Sequence, residues 1–191
     1  MEVERERTHL GNFKIVLLGD GEVGKTTWLH RHISEDFVNE YTPTLGVEVH
    51  PIQFNTNYGT ITFNVWDCAG VDEYGGLRDG YYIMALGAVL MYDVTNVASH
   101  THLATWSRDL DRVSPGIPIF VCGNKCDIEE RAVGVGDVVV HPECYCDLSV
   151  ASNHNVEKPF LFLARALTGH SDLVFVDSCE GVVEDPSSIP L

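Results

Sequence analysis

The sequence predicts an α/β fold with a six-stranded, mostly parallel sheet, one antiparallel edge strand and helices on both faces. Two observations lead to this prediction. Segments with strand signals alternate with segments in which apolar residues recur at helical spacing, a pattern typical of parallel sheets covered by helices. In one place, two strand segments are joined only by NTNYG (55–59), and so short a link permits only an antiparallel hairpin.

The strands are predicted from runs of apolar and β-branched residues bounded by turn signals. Pro51 lies in the second run. Because proline cannot donate to a strand ladder, it marks that strand as the edge of the sheet. The predicted strands cover residues 13–18, 47–54, 60–66, 88–93, 117–123 and 144–149.

The helices are predicted from apolar residues at helical spacing, which mark the face that each helix turns toward the core. The first helix begins at Lys25 and runs to Ile33. The inward residues are Trp28, Leu29, His32 and Ile33 in the first helix, Leu103, Trp106, Leu110 and Val113 in the next, and Phe160, Leu163, Ala164 and Leu167 in the last.

Length and composition indicate one globular domain, since the chain has 191 residues of which 45% are hydrophobic. We expect residues 1–10 to be a flexible N-terminus, residues 11–170 to be the folded domain, and the polar, proline-containing residues 171–191 to be a mobile tail. The formal net charge of −16 argues against nucleic acid or an anionic membrane as a partner, because both demand clustered Lys and Arg. No apolar run approaches the roughly 18 residues of a membrane span. We therefore expect a soluble, intracellular protein.

A glycine-rich stretch follows the first predicted strand and opens the first helix. Residues 19–26 read GDGEVGKT and match the phosphate-binding pattern GxxxxGK[ST]. Backbone N–H groups of such a loop face an anion at the positive end of the helix. Lys25 would reach the β- and γ-phosphates, and the Thr26 hydroxyl would bind Mg²⁺, which prefers oxygen ligands. For this stretch alone, a purely structural turn is the alternative.

Three further motifs point to a guanine nucleotide and its metal ion. In WDCAG, Asp67 would hold Mg²⁺ through water and the Gly70 N–H would meet the γ-phosphate. In NKCD, the Asp127 carboxylate would accept hydrogen bonds from the N1–H and the exocyclic amine of guanine, a pair of donors that adenine lacks. Thr44, in the polar loop before the second strand, is a candidate for the second protein ligand of Mg²⁺.

With these motifs in this order, the chain resembles the Ras superfamily of small GTPases, and within it the Ran family of nuclear transport GTPases. The resemblance covers about residues 11–180 and implies a P-loop NTPase small-GTPase domain that switches between GTP and GDP states. The stretches that carry it are TLGVEVHP (44–51), FNVWD (63–67), YGGLRDGYY (74–82), GNK (123–125) and EKPF (157–160).

The resemblance implies GTP or GDP together with Mg²⁺ as cofactors, and a set of residues that hold them. The metal would be held by Thr26, Thr44 and, through water, Asp67, and catalysis would involve Lys25, Thr44, Gly70 and the position of Val71. The nucleotide would contact Gly21, Glu22, Val23, Gly24, Lys25, Thr26, Thr27, Tyr41, Thr44, Gly70, Asn124, Lys125, Asp127, Ser149, Val150 and Ala151.

The chain departs from the Ran family at several of these positions. Val71 stands where the family has a glutamine that orients the attacking water, and an isopropyl group can neither donate nor accept a hydrogen bond. Losing one such group costs ~10² to 10³ in rate, so we expect GTP hydrolysis that is very slow and poorly stimulated by a GTPase-activating protein. Glu22 replaces a glycine of the phosphate loop, and we expect its carboxylate to point outward and nucleotide exchange to be faster. Ala151 replaces a lysine whose stem packs against the base.

The resemblance also implies partners and a location. Two loops, about residues 36–48 and 68–84, would be ordered by the γ-phosphate and Mg²⁺ and bound by transport receptors of the importin-β family, in the nucleus and the cytoplasm. The free protein would be a monomer. Trp66 and the turn at residues 75–77 would face these receptors; ordinary core packing of these residues is the alternative.

Contacts with an exchange factor and with Ran-binding domains would be weaker than in the family. The resemblance places residues 132–136 and 141–144 where the family has lysine-rich stretches, and we expect no counterpart of the family's acidic C-terminal helix. Simple drift of exposed charges is the alternative. Two classes of function follow: a working transport switch with slow turnover, and a GTP-loaded mimic or decoy that occupies import or export receptors without cycling.

Overall fold

The computed structural model describes residues 8–34, 42–70, 78–137 and 142–176, and it confirms the predicted α/β fold. Within this part of the chain, six strands form one sheet and helices lie on both of its faces. The strands are β1 (His9–Leu18), β2 (Val47–Thr56), β3 (Gly59–Cys68), β4 (Gly87–Asp93), β5 (Ile119–Asn124) and β6 (Tyr145–Asp147). The helices are α1 (Lys25–Ser34), α2 (Arg78–Tyr82), α3 (Val97–Val113) and α4 (Lys158–Thr168).

The sheet has the order β2-β3-β1-β4-β5-β6. Strands β2 and β3 form an antiparallel hairpin, and the other neighbouring pairs are parallel. Pro51 therefore lies in an edge strand, as predicted. Because β1, β3, β4 and β5 run in the same direction, their carboxyl ends meet along one edge of the sheet, which is where ligands of open α/β sheets bind.

The core has two apolar layers, one on each face of the sheet. Side chains of β1 alternate between them and are fully buried from residue 15 to residue 18, because helices cover both faces of this central strand. Trp28 of α1 and Phe160 of α4 stack in one layer, with ring centres 4.6 Å apart. Trp106 and Leu110 of α3 belong to the other layer.

One predicted core residue of α1 lies outside the core. Trp28 and Leu29 are fully buried, but Ile33 is 51% exposed, so its assignment to the inward stripe is wrong. Ile33 stands in the last turn of α1, and burial along this helix ends one turn earlier. Helical spacing places it on the right face, but it gives no information on where the covering layer stops.

The folded part extends beyond the predicted boundaries at both ends. Strand β1 begins at His9, whose Nδ1 lies 3.1 Å from Oγ1 of Thr60 in β3, so the flexible segment predicted for residues 1–10 is too long. The hairpin strands are also longer than predicted, and only residues 57–58 separate them.

Residues 170–176 pack on the β2–β3 hairpin, so the prediction of a mobile tail is wrong for residues 171–176. Leu173 is fully buried, and the ring of Phe175 stacks on Phe54 with centres 4.2 Å apart. The backbone N–H of Val174 donates to Asn57 Oδ1 at 3.0 Å. These apolar side chains have a partner that local composition does not reveal. Residues 177–191 lie outside the described residues.

None of the helices in the described segments combines the length and the hydropathy that a membrane crossing requires.

Candidate functional site

The loop of residues 19–24 joins β1 to α1 at the carboxyl edge of the sheet. Lys25 is buried, and its Nζ donates 2.8 Å hydrogen bonds to the carbonyl oxygens of Gly19 and Asp20. The loop thus curls around the lysine ammonium. Burial lowers the pKa of Lys25 to about 8, while the nearby Asp67 acts in the opposite direction. A phosphate beside the ammonium would further favour its charged form.

The three predicted metal residues come together beside this loop. Thr26 Oγ1 donates to Asp67 Oδ2 at 2.6 Å and lies 3.0 Å from Thr44 Oγ1. Asp67 is fully buried, which raises its pKa, and its Oδ1 has no hydrogen-bond partner among the described residues. A buried carboxylate oxygen without a partner calls for a donor, an ion or a water molecule. This set of hydroxyl and carboxylate oxygens therefore fits Mg²⁺.

Gly70 brings the end of β3 directly against the phosphate loop. A Cβ at this position would lie 2.2 Å from the backbone nitrogen of Gly21 and 2.4 Å from the carbonyl carbon of Asp20, so only glycine fits. Gly70 thus lies against the phosphate loop, and its contact with a γ-phosphate stays a prediction. Two of the predicted site residues, Val71 and Tyr41, lie outside the described residues.

Asn124, the last residue of β5, joins three loops of the site. Its Nδ2 donates to the carbonyl oxygen of Val23 at 2.8 Å, and its Oδ1 accepts from the backbone N–H groups of Lys125 at 2.7 Å and Val150 at 3.3 Å. A Cβ at Gly24 would lie 2.3 Å from Asn124 Nδ2, which explains the glycine there. Val150, predicted to contact the nucleotide, thus donates its backbone N–H to a side chain in the structure.

The remaining residues predicted to contact the nucleotide belong to the NKCD loop and to residues 149–151. Lys125 has a positive φ of 66° and its Nζ pairs with Asp93 Oδ2 at 2.5 Å. Asp127 is exposed and so accessible to a base. Ser149 is fully buried, where its Oγ accepts from a backbone N–H at 3.0 Å, and Ala151 is exposed.

Glu22 occupies a strained position at the outer side of the phosphate loop. Its φ is 64°, in the left-handed region that favours glycine, and the residue is exposed. The exposure agrees with the expected outward direction of its carboxylate. Gly21, inside the loop, and Thr27, in the first turn of α1, are half-buried.

Two acidic residues of the site were missed at the level of the sequence. Asp93 is the only charged residue of β4 and stands at its carboxyl end, a position that could have been recognised because ligands bind at that edge. Asp20 lies inside the phosphate-loop pattern, but nothing local indicates that its side chain is held by α3.

Comparison with protein-family models matches residues 14–169 to the Ras family. The matched range contains the phosphate loop, Thr44, Asp67, the NKCD loop and residues 149–151.

Proposed function

This chain belongs to the Ras family of small GTPases, which bind GTP and GDP, and on that premise we propose that it is a nucleotide-dependent switch of nucleocytoplasmic transport with impaired GTP hydrolysis. The observation that carries the switch is the meeting of Thr26, Thr44 and Asp67 within hydrogen-bond distance. Thr44 comes from the loop before β2, so a metal ion bound here would tie the position of that loop to the nucleotide.

Different site residues would bind the phosphates, the guanine base and Mg²⁺. Lys25 and the phosphate-loop N–H groups would hold the β- and γ-phosphates, and Asp127 would select guanine. Mg²⁺, held by Thr26, Thr44 and Asp67, would supply charge neutralisation at the phosphates when bound. The backbone of Gly70, which packs against Asp20 and Gly21, would approach the γ-phosphate.

Exposed apolar side chains near the two switch loops support a protein partner. Leu45 is 78% exposed and Met84 is 81% exposed, and Trp66 is half-buried with Lys14 Nζ 3.5 Å from its ring centre. Grouped apolar side chains on a surface mark interaction sites. Val49, Ile83 and Leu86, which lie within or next to these loops in the sequence, are also exposed. Together with the Ran-like stretches, they favour transport receptors of the importin-β family.

A receptor-binding assay tests the transport role. Protein loaded with a non-hydrolysable GTP analogue should bind an importin-β-family receptor, and GDP-loaded protein should bind at least tenfold less tightly, about 1.4 kcal/mol. Met84→Asp should weaken the complex, whereas Val174→Asp, at the other end of the β2–β3 hairpin, should leave it unchanged. Equal binding of the two loaded forms would exclude a nucleotide-dependent receptor contact.

A second candidate is a GTP-loaded mimic that occupies receptors without cycling. The contact between Thr44 and Thr26 favours it, because it holds the loop before β2 against the metal site, and Val71 removes the group that would orient the attacking water. Nucleotide extracted from the purified protein distinguishes the candidates. A mimic should carry mainly GTP, and a cycling switch should carry mainly GDP.

A further inference from the structure

The side chain of Asp20 in the phosphate loop is bound from α3. The indole N–H of Trp106 donates to Oδ1 at 2.9 Å, and Nδ1 of His102 lies 2.6 Å from Oδ2. These two residues of α3 are four positions apart and so lie on one face of the helix. Trp106 is only 4% exposed, so its indole N–H would be left without a partner if Asp20 moved away.

The main chain of Asp20 faces the nucleotide site. Its carbonyl oxygen accepts a 2.8 Å hydrogen bond from Lys25 Nζ. Its carbonyl carbon lies so close to Gly70 that a side chain on Gly70 would collide with it. A shift of Asp20 would therefore change both the support of the lysine ammonium and the surface on which Gly70 packs. The position of this one residue depends on α3 on one side and on the phosphate-binding groups on the other.

The ring of Trp106 also contacts α2. The guanidinium carbon of Arg78, the first residue of α2, lies 4.0 Å from the ring centre, a cation–π contact. Arg112 of α3 and Asp79 of α2 add a bidentate ion pair with both distances at 2.7 Å. Trp106 thus stands between the start of α2, in the second predicted switch loop, and the phosphate loop.

We propose that Trp106 is a positioning residue that holds the phosphate loop through Asp20 and transmits the position of α2 to it through Arg78. On this basis the contact of Trp106 with Asp20 slows nucleotide release. The inference rests on the proposed nucleotide site. Core packing accounts for burial of the indole ring but not for the pairing of its N–H with a loop carboxylate.

The test is the dissociation rate of a fluorescent GDP analogue in the presence of Mg²⁺. Trp106→Phe keeps an aromatic ring for Arg78 and deletes the N–H, so GDP release should become about tenfold faster, the factor expected for one lost hydrogen bond to a charged group. Leu103→Ala, a half-buried residue of α3 in the same apolar layer, is the control for general loosening and should leave the rate within about twofold.

A double-mutant cycle separates positioning from packing. If Trp106 acts through Asp20, Trp106→Phe should have no further effect in the Asp20→Ala background. The inference would be overturned if the effects of Trp106→Phe and Asp20→Ala on the GDP release rate multiplied in the double variant. It would also be overturned if Trp106→Phe left the rate unchanged, or if Leu103→Ala raised the rate as much as Trp106→Phe. Arg78→Ala should alter the rate of GDP release in the native background but not in the Asp20→Ala background. An unchanged rate in the native background would exclude the link to α2. If the native protein does not bind GDP, the proposed function fails as well.

Discussion

Thr26 and Asp67 lie 41 positions apart in the sequence and meet through a 2.6 Å hydrogen bond from the threonine hydroxyl to the carboxylate. The bond joins the first turn of α1 to the carboxyl end of β3. The second carboxylate oxygen of Asp67 is buried and has no partner in the described part of the chain. The pair therefore holds a buried negative group beside the phosphate loop, where a divalent cation would satisfy it.

Replacement of Asp67 by asparagine should weaken Mg²⁺ binding. The amide oxygen can still accept from Thr26, but the charge that faces the metal-bound water is lost, and losses of this kind cost ~10- to 100-fold in metal affinity. The measurement is the rate of GDP release as Mg²⁺ is titrated, with EDTA as the metal-free limit. Asp172→Asn, an exposed carboxylate that accepts from Tyr58 at the hairpin turn, should keep the native midpoint. An unchanged midpoint in Asp67→Asn would contradict the assigned role.

Replacement of Asp127 by alanine should remove the preference for guanine. The N1–H and the exocyclic amine of the base would lose a charged acceptor, which costs about 3 kcal/mol, or ~100-fold in affinity. Calorimetric titrations with GDP and ADP, both with Mg²⁺, measure the effect. Glu129→Ala removes an exposed carboxylate two residues further on and should retain the native preference. If Asp127→Ala binds GDP as tightly as the native protein, guanine is selected elsewhere.

Replacement of Val71 by glutamine should accelerate GTP hydrolysis. The new amide can orient the attacking water, which should raise the single-turnover rate by ~10² to 10³. Phosphate release from GTP-loaded protein gives this rate directly. Val71→Ala changes the same side chain without adding a hydrogen-bonding group and should remain slow. Rapid hydrolysis by the native protein would show that the valine does not limit the reaction.

Replacement of Glu22 by glycine should stabilise the fold and slow GDP release. Glycine adopts the positive φ of 64° without the steric cost of about 1 kcal/mol that other residues incur, and removal of the carboxylate reduces repulsion of the phosphates. Urea denaturation measures the free energy of unfolding. Met84, with a φ of 62°, provides the matched control: Met84→Gly should give a similar gain in stability with no change in GDP release. Equal release rates in Glu22→Gly and the native protein would show that the carboxylate does not act on the nucleotide.

Replacement of Leu173 by alanine should destabilise the domain, although this residue lies where the sequence predicts a mobile tail. Its side chain is fully buried, and truncation of such a leucine costs about 2–5 kcal/mol in the free energy of unfolding. Val174, 43% exposed, is the neighbouring control, and Val174→Ala should change stability by no more than about 0.5 kcal/mol. Similar small losses in both variants, measured by urea denaturation, would contradict the docking of residues 170–176 on the hairpin.

The sequence by itself determined the strand and helix pattern, the antiparallel hairpin with Pro51 at the sheet edge, and the motifs that the Ras family match contains. These features are local, because apolar periodicity, a short link and a run of glycines act within a few neighbouring residues. The sequence also predicted the three candidate Mg²⁺ ligands Thr26, Thr44 and Asp67.

Only the tertiary structure decided which of these local signals end in the core. Ile33 has the spacing of a core residue and is exposed, whereas Leu173, in the short apolar run LVFV (173–176) of the segment predicted to be a mobile tail, is buried. The hydrogen bond from Trp106 to Asp20 likewise could not be predicted from the local sequence. The two residues are separated by 86 positions and meet only because α3 packs beside the phosphate loop. Burial and long-range hydrogen bonds depend on which distant elements pack against a residue, and the packing of helices on the sheet determines this.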